Sequence, residues 1–238
     1  MWATDPRTGV PWQWSLRPDE TRALVFWTRA PQRLIEDQGL LESYRIQIHV
    51  TVTGWTEVEH GAPNLEEGIE LLKAVCGAYG PARVVLRFSP VPVVPDVVTR
   101  WERLVAAAAA IGIPHIYVAF LQPNDRMVDP RSPEEQFAVL TEIAQVAETY
   151  GVQVRLCQDG AALLIGRSAS NLSLGVCVPV DGLTVLGRPD PVPEGCGCVL
   201  MADPFTANES CVFNCSYCYA ADQSLNPEKR NTTLKVLP

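Results

Sequence analysis

No stretch of this 238-residue chain reaches the roughly 18 apolar residues that a membrane-spanning helix needs. Its opening, Met1-Trp-Ala-Thr-Asp-Pro6, lacks the basic segment followed by an apolar one that marks a secretory leader. Positive charge is also scarce. Nineteen Lys and Arg stand against 27 Asp and Glu, a net charge of −8. Neutralising a nucleic-acid backbone takes clustered cations, so nucleic acid is not favoured as the main partner. Histidine is rare too. His49, His60 and His115 stand singly, without metal-ligand spacing, and read as structural or surface residues. These absences lead to a cytoplasmic chain without a membrane partner.

What is present is a core. At 47% hydrophobic and 19% charged residues the chain is globular rather than disordered, and it is long enough for one large α/β domain. It carries eight cysteines. In a reducing compartment these are metal ligands or free thiols sooner than disulfides. The sequons at Asn171 and Asn208 carry no weight there.

Residues 23–157 alternate strand and helix signals. The β-branched or apolar runs 23–27, 45–53, 82–88, 115–120 and 152–157 predict five strands. Helical patterns fall at 31–44, 64–79 and 95–111, the last with the alanine run Ala106–Ala110. A fourth helix starts at Ser132-Pro133-Glu134-Glu135, with an N-cap, a proline at N1 and a glutamate at N3. Asn64 and Glu67 are spaced like a second capping box, and Gly80, Gly112 and Gly151 are helix stops. Alternation of this kind gives a parallel sheet with right-handed crossovers. The expected fold is therefore a partial (β/α) TIM-type barrel. Residues 1–158 form the partial barrel. Residues 159–238, rich in Gly, Pro and Cys, complete the same domain as extended loops, with short strands near 183–186.

A barrel of this type places its chemistry where the strands end. The ends are Thr28 and Arg29, then Thr53, Gly54 and Trp55, then Arg87, Ser89 and Pro90. Gln122, Asn124 and Asp125 follow, then Cys157, Gln158 and Asp159. Any one of them is an ordinary loop residue; their recurrence at one structural place is the signal. Arg29, Thr53, Gly54 and Arg87 are the candidates for holding a cofactor. The forked guanidinium of Arg29 or Arg87 suits a carboxylate or phosphate; equally, each could pair with a neighbouring Asp or Glu.

The densest signal is Cys211-Val-Phe-Asn-Cys215-Ser-Tyr-Cys218-Tyr219-Ala220. Its CxxxCxxC spacing puts three thiolates on one loop. A full ligand set for a 4Fe–4S cluster is four, so three leave one iron open to a small molecule. This spacing, with the aromatic Tyr217 before the last cysteine, resembles that of radical SAM enzymes, whose open iron takes S-adenosylmethionine. The competing reading is a structural zinc knuckle completed by Cys196 or Cys198, or disulfides. Cys196 and Cys198 are too close to bridge each other but suit a shared metal. With Cys157 and Cys177 they would make a second cluster or a zinc site; otherwise Cys157 and Cys177 are small buried hydrophobes. Cys76, on an apolar helix face, reads as core.

Further segments resemble one family across nearly the whole chain. They are Ser15-Leu16-Arg17-Pro18-Asp19, Val25-Phe26-Trp27-Thr28-Arg29-Ala30-Pro31, Thr51-Val52-Thr53-Gly54-Trp55, Val85-Leu86-Arg87-Phe88-Ser89-Pro90, Cys196-Gly197-Cys198 and Cys211 through Ala220. The family is an uncharacterised bacterial and archaeal domain of unknown function. It looks like a circularly permuted relative of radical SAM enzymes, spore photoproduct lyase-like proteins in particular. The resemblance implies that the cysteine loop follows the last barrel strand instead of the first. It also supports the second cysteine set.

This chain departs from the family's pattern at several points. It has Arg29-Ala30 in place of Lys-Asn, Ser89 in place of Asp, and Gln122 and Asn124 in place of Asp and Tyr. It has no Gly-Gly-Glu-like motif, for which Gly54-Trp55-Thr56-Glu57 is a weak substitute. It also begins after the family's opening strand and helix. An open barrel is therefore expected, with a gap beside strand 23–27. Segment 1–15, another copy of the chain or the Cys-rich tail would cover that edge. Two functions follow. One is a radical SAM-type enzyme acting on an unknown small or macromolecular substrate. The other is a metal-stabilised, non-catalytic binding module or degenerate homologue.

Overall fold

The computed structural model describes residues 2–4, 11–13, 17–21, 23–121, 127–176, 178, 213 and 215–218. Six parallel strands make one sheet in sequential order: β3 (Leu24–Thr28), β4 (Ile46–Thr51), β5 (Val84–Phe88), β6 (His115–Val118), β7 (Gln153–Leu156) and β8 (Leu172–Leu174). Parallel neighbours need crossovers. Helices α3 (Leu65–Tyr79), α4 (Val97–Ile111) and α5 (Pro133–Thr149) supply three of them. The partial α/β barrel expected from the sequence is the architecture seen. Two short strands, β1 (Trp2–Thr4) and β2 (Pro11–Gln13), pair antiparallel with each other in a separate sheet. Among the described residues β3 is bonded on one side only, to β4. Neither β1 nor β2 is bonded to β3.

The core follows from side-chain alternation along the strands. Ile46, Ile48 and Val50 of β4, Leu86 and Phe88 of β5, Ile116 and Val118 of β6 and Val154 and Leu156 of β7 all point to the helices and are buried. They meet Leu72 and Val75 of α3, Trp101, Leu104 and Ala108 of α4, and Leu140, Ile143 and Ala147 of α5. The alanine run of α4 thus packs only in part: Ala108 is fully buried, while Ala110 is exposed. Trp101 Nε1 donates to the Ile143 carbonyl at 2.8 Å, which satisfies the only polar atom of that ring in the core.

Both helix-start signals are realised. Asn64 and Glu67 cap α3 reciprocally, and Ser132 and Glu135 do so for α5. Three expectations are corrected. Residues 31–44 form two short helices, α1 (Gln32–Glu36) and α2 (Gln38–Leu41), parted at Asp37; Leu34, Ile35 and Leu41 pack half-buried on the core while Leu40 is exposed, so the four do not make one stripe. Two strands stop earlier than their apolar runs suggest, at Thr51 and Val118. The strand rhythm continues past Cys157. A 3-10 segment, Gln158–Leu164, leads to β8, which pairs with β7. Its Leu-Ser-Leu sequence is too short for an alternation signal. The strands sought near residues 183–186 lie outside the described residues.

Candidate functional site

The loops that leave the carboxyl ends of β3, β4 and β5 are gathered by one arginine. Arg29 follows β3 directly. Its Nη1 donates to Thr53 Oγ1 at 3.1 Å and to Glu59 Oε2 at 2.9 Å. Its Nη2 donates to the Ser89 carbonyl at 3.3 Å and to the Tyr217 hydroxyl at 2.5 Å. Thr53 donates to the same Glu59 oxygen, and Tyr217 donates to the other, Oε1, at 2.5 Å. Arg29, Thr53, Glu59 and Tyr217 therefore close a ring in which each hydroxyl accepts from the guanidinium and donates to the carboxylate. Glu59 is 1% exposed. A buried carboxylate is tolerated when it is paired and its lone pairs are used, and here both oxygens are.

The cysteine loop docks on this ring. Cys215 forms an antiparallel bridge with Glu59. Ser216 N donates to the Val58 carbonyl at 2.8 Å, and Gly61 N donates to the Phe213 carbonyl at 3.0 Å. Cys218 N closes a turn on the Cys215 carbonyl at 3.0 Å. Tyr217 projects from that turn to stack on Trp55, with centroids 5.9 Å apart. Burial pushes its phenol well above the ordinary tyrosine range. Arg29 opposes that shift, and Glu59 reinforces it.

Two more arginines fix neighbouring loops. Arg100 of α4 donates to the Gly54 carbonyl and pairs with Glu57 at 3.3 Å and Asp96 at 2.9 Å. Gly54 has φ +62°, and a Cβ there would sit 2.7 Å from Leu65 Cβ; only glycine lets the loop turn so close to α3. Arg131 donates to the Val91 carbonyl at 2.8 Å and pairs with buried Asp129.

The sheet face opposite the helices is polar. Arg87 reaches Cys157 Sγ at 3.3 Å. Tyr117 donates to the Val176 carbonyl at 2.6 Å, under the Arg155 guanidinium. His49, fully buried on β4, has no hydrogen-bond partner for either ring nitrogen among the described residues. Burial, and secondarily Arg87, lowers its pKa to about 3, so the imidazole is neutral. The Trp27 ring lies 4.9 Å from it.

The predicted site residues are thus divided. Arg29 and Thr53 meet Tyr217 in one network, and Arg29 takes the second of the roles open to it, pairing with a glutamate. Gly54 shapes the adjoining turn. Arg87 and Cys157 meet each other. Cys215 and Cys218 share one turn, and no disulfide joins them. Cys211, Cys177, Cys196 and Cys198 lie outside the described residues, as do Gln122, Asn124 and Asp125. Among the described residues no three His, Cys, Asp or Glu side chains gather as a metal site. Cys76 is buried core, as read. Sequence reasoning missed Glu59. Nothing in Glu57-Val58-Glu59 separates the exposed acid from the buried one, since both follow the same strand. His49, read as structural or surface, is structural and fully buried.

A family model described as Domain of unknown function (DUF1848) matches residues 4–220, and the chain belongs to that family. By sequence, no curated protein matches the chain. Among solved structures, similarity extends to a D-psicose 3-epimerase from Clostridium cellulolyticum H10, at 16% identity and TM-score 0.42 over 63% of this chain and 58% of that one. An O-GlcNAc hydrolase from Thermobaculum terrenum matches at 15% identity and TM-score 0.44 over 66% and 42%. A xylose isomerase domain protein from Planctomyces limnophilus matches at 14% and 0.37 over 65% and 62%. The chain spans less than two thirds of the length of each.

Proposed function

We propose that this member of the DUF1848 family is a cytoplasmic iron–sulfur protein of radical SAM type, with Cys211, Cys215 and Cys218 as the cluster ligands. The observation that carries the reading is the place of the cysteine turn. Cys215 and Cys218 sit on one closed turn, docked over the carboxyl ends of parallel strands, where barrels of this class keep their chemistry. The donor set fits the group: thiolates are the soft ligands that select iron–sulfur clusters or zinc, and neither of these two is spent in a disulfide. When bound, the cluster would supply the electron that cleaves S-adenosylmethionine.

The chain's own residues do the rest. Arg29, Thr53 and Glu59 hold the turn against the barrel rim. Thr53 and Gly54 would line the place beside it that the cofactor's polar end takes. Arg87 and Cys157 mark the floor on the polar face of the sheet, where an unidentified substrate would lie. Cys157 is also the strand-end member of a second metal set with Cys177, Cys196 and Cys198. The edge of β3 to which no described strand is bonded is a surface through which the chain could pair with another copy.

Anaerobic reconstitution with iron and sulfide tests the reading. A brown protein with broad visible absorbance and about four irons per cluster, lost in Cys215→Ser and kept in Cys76→Ser, is the expected result. A colourless chain that takes up stoichiometric zinc and no iron would sink it and leave a metal-stabilised binding module.

A further inference from the structure

We propose that Tyr217 is a positioning residue: through Glu59 and Arg29 it sets the Cys215–Cys218 turn in its metal-binding shape before any metal arrives. The inference rests on the reading of those cysteines as ligands, but not on which metal they hold. Three observations carry it. Tyr217 lies between the two cysteines in sequence and reaches inward, donating to Glu59 at 2.5 Å and accepting from Arg29 at 2.5 Å. Glu59 is the same residue whose backbone bridges Cys215. The loop around Glu59 therefore grips the cysteine segment by main chain, through Val58 and Gly61, and Glu59 itself grips it by side chain next to Cys218. Last, the far side of Glu59 is fixed by Thr53 and Arg29, which belong to loops after two different strands. The turn is thereby referenced to the barrel strands.

A metal site whose ligands are already in place does not spend binding energy on ordering them. Partners that orient metal ligands typically change affinity by about 10- to 100-fold when removed. The same order should be visible without metal, as protection of the half-buried Cys218 thiol from modification.

The test is made on the full chain, freed of metal by chelation. Tyr217→Phe keeps the ring on Trp55 and removes only the hydroxyl. Glu59→Gln keeps the shape of the carboxylate and removes its charge. In both, alkylation of Cys218, followed by mass spectrometry of its peptide, should rise about tenfold or more, and the affinity for zinc or cobalt(II) used as a probe should fall by a similar factor. Ile143→Val, which loosens the core far from the turn, is the control for stability alone and should leave the Cys218 rate unchanged. A Tyr217→Phe chain that alkylates at the parent rate and binds the probe metal equally well overturns the proposal. So does an Ile143→Val chain that matches its behaviour. If the parent takes zinc but no iron while Tyr217→Phe still shows faster alkylation, the iron–sulfur reading fails and the positioning role stands.

Discussion

Tyr217 and Glu59 are 158 residues apart in the chain and share a 2.5 Å hydrogen bond. That bond ties the last described segment of the protein to the loop after the second strand of the main sheet. It is a long-range contact made by a carboxylate that has almost no solvent of its own, so the stability of the rim depends on charge balance as well as on packing.

Glu59 is accordingly the residue whose truncation should cost most. In Glu59→Ala the Arg29 guanidinium, which is also largely buried, loses its counter-charge. Removing one partner of a buried pair costs about 3–5 kcal/mol. The double variant Arg29→Met, Glu59→Leu removes both charges and should recover much of that loss, because apolar replacement of a buried pair is often neutral. Urea unfolding of the two variants checks this; equal losses in both would show that the pair is not what stabilises the rim.

His49 predicts a pH dependence. Its folded pKa, about 3, lies below the ordinary 6.5 because burial, and then Arg87, disfavours the imidazolium. The unfolded chain therefore binds the proton first. The contribution of neutral His49 is complete above about pH 6.5 and declines as pH falls towards 3. His115, lowered to about 4 by burial and by Arg155, acts in the same direction. The groups facing His49 are Trp27 on β3 and Arg87 on β5, and Arg87 does not titrate in this range. His49→Leu should flatten part of the slope between pH 6.5 and 4 and, by deleting two nitrogens that have no hydrogen-bond partner among the described residues, should not destabilise at neutral pH. Thermal melts across that range report it; an unchanged slope would remove His49 as its source.

The α3 and α5 caps were legible because they are local: Asn64 with Glu67 and Ser132 with Glu135 each place both partners within four residues. Strands β4 to β7 were legible because each carries its own apolar run. The rim was not. Arg29 meets Glu59 over a separation of 30 residues and Tyr217 over 188, and no local pattern records such a pairing. β8 escaped for a related reason. Leu172–Leu174 is three residues long, and it is a strand because β7 is beside it, not because its sequence demands it. The reading of helix 31–44 failed in the opposite way. Leu34, Ile35, Leu40 and Leu41 suggested one element, but Leu40 faces solvent while the other three pack on the core, and the chain breaks at Asp37.

The caps give an independent check on the helix layer. Asn64→Ala and Ser132→Ala should each cost about 1 kcal/mol. They lie on different helices, and the two losses should add. A clear excess in the double variant, read by denaturant midpoint, would show that α3 and α5 are coupled through the sheet.

Cys76 and Cys218 should differ sharply in reactivity, and that difference makes the chain its own unfolding probe. Cys76 is buried in α3, and burial pushes its thiol up to about 11. At pH 8 such a thiol holds roughly a hundredfold less thiolate than one near its ordinary value, and the thiolate is the nucleophile. Its reaction also requires the core around Leu72 and Val75 to open. Alkylation of Cys76 should therefore track global unfolding, while that of the half-buried Cys218 tracks release of the turn. In a urea series, Cys218 should become reactive at lower denaturant than Cys76 in Tyr217→Phe. In the parent chain the two transitions should lie closer together. If Cys76 reacts freely in the native parent at pH 8, the placement of α3 against the sheet is wrong at that position.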